Sequence, residues 1–156
     1  MRRILITGMS GTGKSSVIRA LAARGLKAID TDWNSEWEAV APDGDEWLWR
    51  EDRIQMLLDE EDADALFVSA CVSNQGKFYD RFDEIVLLSA PESVTVERLA
   101  RRIDNPYGKR PEEVADVLRY KKTVEPLLRR SATAEIETTM PLSAVVAKVL
   151  EIAQIT

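Results

Sequence analysis

The run Arg2–Thr7, apolar through its centre, stops at Gly8 and opens directly into Gly8-Met9-Ser10-Gly11-Thr12-Gly13-Lys14-Ser15. These residues match G-x-x-x-x-G-K-[ST] at every fixed position, with a strand pattern before and an amphipathic helix pattern after. Each residue type has a task. The glycines let the backbone turn where a Cβ would clash, so that successive N–H groups point inward at a phosphate. The start of a helix adds partial positive charge to the same spot. Lys14 reaches the outer phosphates, and the Ser15 hydroxyl is a ligand for magnesium. The expectation is a nucleoside triphosphate held with Mg2+ by Gly8, Ser10, Gly11, Thr12, Gly13, Lys14, Ser15 and Ser16.

The pattern downstream decides what fold carries this loop. A helix is predicted from Lys14 to about Arg24, with Val17, Ile18 and Leu21 on one face and Gly25 ending it. Lys27–Asp30, Ala65–Ala70, Glu84–Ser89 and Ala134–Glu137 read as further short strands. Between them lie helical patterns at Pro91–Arg102, Pro111–Arg130 and Leu142–Ala153, and at Trp33–Glu61 in two pieces broken at Pro42-Asp43-Gly44. Strands that alternate with helices and are apolar throughout predict an α/β fold: a doubly wound sheet, five mainly parallel strands with helices on both faces. No repeat, linker or boundary divides residues 1–156, so a single domain is expected.

Composition narrows the function. A chain of 156 residues, 45% hydrophobic and 31% charged, buries a core without a membrane-length apolar run. A net charge of −6 argues against nucleic acid as a partner. One cysteine, Cys71, makes no internal disulfide and reads as a small buried thiol, and the N-terminus reads as a strand rather than an export signal. A cytoplasmic protein, monomer or homodimer, is the expectation. With no histidine, acid–base work falls to carboxylates, lysine and arginine. The acidic run Asp59–Asp64 reads as a solvated helix end.

The spacing Gly8-x-x-Gly11-x-Gly13-Lys14-Ser15 resembles that of small P-loop kinases of the nucleoside-monophosphate and shikimate kinase group. Asp30-Thr31-Asp32 is similar to the Asp-x-Asp of shikimate-kinase-like enzymes. Val96-Glu97-Arg98-Leu99-Ala100-Arg101-Arg102 resembles the arginine-bearing helix that enters the lid of adenylate kinases. Tyr120 with Pro126-Leu127 resembles the helix after that lid, and Trp49–Arg53 with Phe67–Cys71 resembles the divergent nuclear adenylate kinase branch. The resemblance implies ATP as donor and transfer of its γ-phosphate to a small-molecule acceptor. By the same resemblance Arg98 lies against the adenine and Arg102 approaches the transferring group. There are two departures: the strand Ala65–Ala70 ends in Ser69-Ala70 where adenylate kinases carry an acid, so that magnesium support must come from elsewhere, with Asp30 the nearest candidate; and Val114 and Asp116 stand where their post-lid arginines would be, which points away from AMP as acceptor.

Around the loop each candidate carries two readings. Asp30 and Asp32, two apart at the carboxyl end of a strand, serve either as magnesium support and proton acceptor or as solvated turn residues. Trp33 and Trp37, read as helical i,i+4 neighbours, and Trp47 and Trp49 form either a stacking surface for the acceptor or the core of a helical flap spanning 33–61. Arg50 and Arg53 clamp an acidic acceptor or pair with nearby carboxylates. Arg98 and Arg102 meet a phosphoryl group or their own helix dipole. Residues 103–111, with Lys109 and Arg110, form a closing lid or an ordinary connection. Asn74 and Gln75 contact the acceptor or simply make a turn. The resulting expectation is a kinase with Lys14, Asp32, Arg98 and Arg102 as catalytic residues and Ser15 and Asp30 on magnesium. The alternative is a nucleotide-binding switch or slow ATPase acting through a protein partner. The lack of an Asn-Lys-x-Asp base-reading motif argues against a GTPase.

Overall fold

The computed structural model describes residues 1–42, 44, 46–101 and 108–155. Its centre is the strand β1 (Arg2–Thr7), which runs into the glycine-rich loop and then α1 (Lys14–Ala23). Chain order continues with β2 (Lys27–Asp30), β3 (Glu38–Val40), β4 (Trp47–Trp49), α2 (Glu51–Asp59), β5 (Ala65–Ala70) and a 3-10 turn at Gln75–Arg81. It ends with β6 (Glu84–Ser89), α3 (Glu92–Arg101), α4 (Pro111–Thr123), α5 (Glu125–Ser131), β7 (Ala134–Glu137) and α6 (Leu142–Ala153).

Five strands form one sheet in the order β2-β5-β1-β6-β7, and every pairing in it is parallel. Alternation along each strand sorts the core into two layers. Ile4, Ile6, Phe67, Val86 and Leu88 face α1 and α6, whose Val17, Leu21, Val145 and Val149 close that side. Leu5, Leu66, Val68 and Ile85 face the other way, onto α2 and the 3-10 turn through Ile54, Leu58, Phe78 and Phe82. Leu87 continues that second face, packing with Met9 and with Leu128 of α5. Both faces are therefore covered, which is why β5 is buried from end to end. Among the described residues no helix is long and apolar enough to cross a membrane.

Two elements depart from the sequence pattern. The first half of the expected flap is not helical. The Asn34 carbonyl accepts from Trp37 and Glu38 N–H, its side chain accepts from Glu36 N–H, and the chain then forms the antiparallel hairpin β3–β4. Pro42 and Gly44 lie in the connection between its strands rather than at a break between helices; the same residues punctuate either arrangement. Trp33 and Trp37 are consequently not neighbours on a helix, and only α2 remains of the helical flap. Likewise Pro111–Arg130 is two helices, parted at Val124, because Pro126 has no N–H to continue the ladder and its ring opposes a continuous turn.

Candidate active site

At the carboxyl edge of the sheet the loop after β1 is shaped by contacts that exclude side chains. A Cβ on Gly8 would stand 2.5 Å from the Leu88 carbonyl oxygen, so β6 passes directly behind the turn. Gly13 sits at φ +98° at the start of α1, a left-handed conformation that a side chain resists. Thr12 Oγ1 donates to Met9 O at 2.7 Å and pins the curve from within.

Lys14 is only 7% exposed. Its ammonium donates to Gly8 O at 2.7 Å and stands 3.4 Å from Asp32 Oδ2. Burial pulls its pKa down, but the carboxylates around it, Asp32 foremost, outweigh this and the net shift is upward. Lys14 therefore stays charged across the physiological range. One residue on, Ser15 Oγ donates to Asp30 Oδ2 at 2.6 Å. The other oxygen, Asp30 Oδ1, accepts from Asp32 N–H at 3.1 Å and from Ser69 Oγ at 3.1 Å. Ser69 at the end of β5 thus orients the carboxylate of β2, on the strand where an acid of its own was missing.

Ser15 Oγ and Asp30 Oδ2 are adjacent hard oxygen donors of the kind magnesium takes. Among the described residues no three His, Cys, Asp or Glu side chains gather into a protein cage for a metal.

A cavity of about 1040 Å³ follows the loop across the sheet edge. On the β2 flank it is walled by Asp30, Asp32 and Trp33, in the middle by residues 10–17, and on the β6–β7 flank by Val94, Arg98, Thr138 and Met140. Arg98 donates to Gly11 O at 3.3 Å, to Thr138 Oγ1 at 2.7 Å and to Thr138 O. Thr138 Oγ1 in turn donates to Thr12 O at 2.8 Å. The α3 arginine is thereby braced against the outside of the loop, and burial lowers its pKa. Arg102 and residues 103–107 of the expected lid lie outside the described residues. At the lid's far end Lys109 Nζ reaches Ala100 O at 3.1 Å, and Glu113 accepts from Gly108 and Arg110 N–H, capping α4.

Other expected contacts are committed elsewhere. The Asn74 amide pairs with both backbone groups of Trp49, accepting from N–H and donating to C=O at 3.0 Å each, so it anchors β4. Gln75, 2% exposed, donates to Thr7 Oγ1 and Tyr79 OH and accepts from Val72 N–H. Both are saturated by the fold rather than turned to an acceptor. Arg50 donates to Ser35 O. Burial pushes the Cys71 thiol's pKa up, which keeps it inert. The tryptophans divide: Trp49 is core, donating to Thr31 Oγ1 at 2.9 Å and meeting Phe78 edge-on, whereas Trp33 is 58% exposed against Trp47.

Glu38 and the Thr138–Met140 segment were not singled out from sequence. Glu38 was hidden by the helical reading of its segment. Thr138 was accessible in principle, since the loop after every parallel strand lies on the ligand edge. Glu38 is 3% exposed; its Oε1 accepts from the Trp33 backbone N–H at 3.2 Å and its Oε2 has no hydrogen-bond partner among the described residues. Burial, then the charge of Asp32, pushes its carboxyl up to about 7.

No curated protein matches the chain by sequence. Among solved structures, shikimate kinase from Acinetobacter baumannii in complex with shikimate aligns over 99% of this chain and 93% of its own, at 20% identity and a TM-score of 0.69. Shikimate kinase from Bacteroides thetaiotaomicron aligns over 99% of both chains at 18% identity and a TM-score of 0.71. A gluconokinase from Sinorhizobium meliloti aligns over 98% of this chain and 91% of its own, at 23% identity and a TM-score of 0.64. At these identities the likeness is one of fold. A family model described as AAA domain matches residues 4–119. The chain therefore belongs to the AAA domain family and has the fold of small P-loop kinases.

Proposed function

We propose that this protein is an ATP- and magnesium-dependent kinase that transfers the γ-phosphate to a hydroxyl of a small molecule. The observation that carries the reading is the Asp32 carboxylate 3.4 Å from the Lys14 ammonium, in the same cavity as the phosphate loop. Lys14, now held by Gly8 O and Asp32, is positioned to exchange these partners for the outer phosphates. That exchange frees Asp32 to accept the proton of the acceptor hydroxyl as its oxygen bonds to the γ-phosphorus and the bond to ADP breaks. Ser15 and Asp30 would hold magnesium, which neutralises charge on the phosphates when bound. Arg98 fixes the outer wall of the loop, and its flank of the cavity, with Thr138 and Met140, takes the base. Catalysis in this reading is positioning and electrostatics. Fold relatives named as shikimate kinase and gluconokinase support it, since each is a small-molecule kinase by name.

The test is a phosphotransfer assay with ATP, Mg2+ and a panel of nucleosides, nucleotides and polyols, with product identified by mass. Asp32→Asn is expected to lose transfer by two orders of magnitude or more while ATP binding persists. ATP binding or hydrolysis without any phosphorylated acceptor would instead favour a switch or slow ATPase.

A further inference from the structure

At the β2 end of the cavity the wall is made of Asp30, Asp32 and Trp33. Trp33 is a bulky side chain held at φ +57°, in the left-handed region that large residues avoid. Its N–H is tied to buried Glu38, its ring meets Trp47 edge-on at 5.8 Å between centroids, and 58% of it remains exposed. Strain maintained by a buried carboxyl to present an open indole face is the kind of arrangement found at binding sites. Asp30 and Asp32 line the same cavity, and Glu38 Oε2 is buried with no hydrogen-bond partner among the described residues. The arginines expected for an acidic acceptor are not among the residues lining the cavity: Arg50 donates to Ser35 O, and Arg53 is exposed on α2.

We propose that the acceptor is an organic cation, a hydroxyl compound bearing a protonated or quaternary amine, held with its cationic group on the Trp33 ring beside Asp32. An aromatic face next to carboxylates attracts an ammonium through the ring quadrupole and through charge, and both effects grow as the site closes. An anionic acceptor at this wall would meet the two carboxylates; of the cations on the cavity, Lys14 passes to the phosphates in the kinase reading, and Arg19, Arg98 and Arg101 stand on α1 and α3. The Glu38 carboxyl that holds Trp33 N–H is raised first by burial and then by the charge of Asp32. This inference rests on the kinase reading and adds the acceptor's charge to it.

The experiment uses matched compounds that differ in charge: glucosamine, glucose and gluconate, and ethanolamine, ethylene glycol and glycolate. Binding is measured by calorimetry at pH 7 in the presence of Mg2+ and a non-hydrolysable ATP analogue, and transfer is measured separately with ATP. The amine of each set is expected to bind at least about ten-fold more tightly than its neutral and anionic counterparts. Trp33→Leu is expected to remove most of that preference, and Trp33→Phe to keep most of it, with thermal melting showing both variants folded. Tightest binding by gluconate or glycolate, no binding by either amine, or an unchanged preference in Trp33→Leu would overturn the proposal. Preferred binding of the amine without phosphoryl transfer upholds the recognition site and removes the kinase reading. Faster transfer to the anion does the reverse.

Discussion

Glu38→Gln removes a charge that the fold keeps from water, and the consequence is a stability difference that depends on pH. In the folded protein the Glu38 carboxyl titrates at about 7, against an ordinary value of 4.5. Between those two values the native state binds more protons than the unfolded chain, so stability falls as pH rises. The contribution is fully present below about pH 4.5 and lost as pH climbs through about 7. At about 1.4 kcal/mol for each pH unit, the gap is worth about 3 kcal/mol. Glutamine retains the volume and an oxygen for Trp33 N–H but does not ionise. Urea unfolding of parent and variant at pH 5 and pH 8 isolates the effect from other titrations. The variant is expected to gain about 2.5 kcal/mol relative to the parent between the two conditions, or roughly 5–10 °C in Tm for a domain of this size. A stability difference that stays flat from pH 5 to pH 8 refutes the reasoning.

Gly8→Ala places a Cβ 2.5 Å from Leu88 O, and a loss of roughly 2–4 kcal/mol in denaturant unfolding is expected; a neutral effect would mean that β6 can move away. Lys14→Met is expected to weaken ATP binding by two orders of magnitude or more by calorimetry, without unfolding the protein, because a long apolar side chain suits its buried stem. Asn74→Ala removes both ties to Trp49, and a loss of about 1–3 kcal/mol together with a red-shifted tryptophan emission is expected as the hairpin loosens. Asp30→Asn is expected to raise the magnesium concentration needed for half-maximal activity, whereas Asp32→Asn lowers kcat at saturating magnesium; identical behaviour of the two would collapse their separate roles.

The strands and the loop were legible in the sequence because each is decided locally. A parallel strand covered on both faces is an unbroken apolar run, as in Ala65–Ala70 and Glu84–Ser89, and no distant contact is needed to recognise it. The phosphate loop is equally local, since its glycines and the following Lys14 and Ser15 are contiguous. Asp30 and Asp32 were legible one step less directly, through the rule that ligands gather at the carboxyl edge of such a sheet. The hairpin was not legible: Trp33–Trp49 satisfies helical spacing about as well as strand alternation, and Asn34 with the Asn74–Trp49 pairing decides between them. Asn74 is 25 residues from Trp49, so its own segment gives no hint of that role. The same long-range packing buries Glu38 against the negative field of Asp32, opens the face of Trp33 and braces Arg98 on Thr138, 40 residues away. Sequence alone thus determined the sheet, the glycine-rich loop and the place of the carboxylate pair at the sheet edge, because spacing along a strand or turn encodes them. Which side chains face the cavity, and with what charge, was decided by tertiary structure, because burial and the field of distant neighbours exist only once the chain has closed.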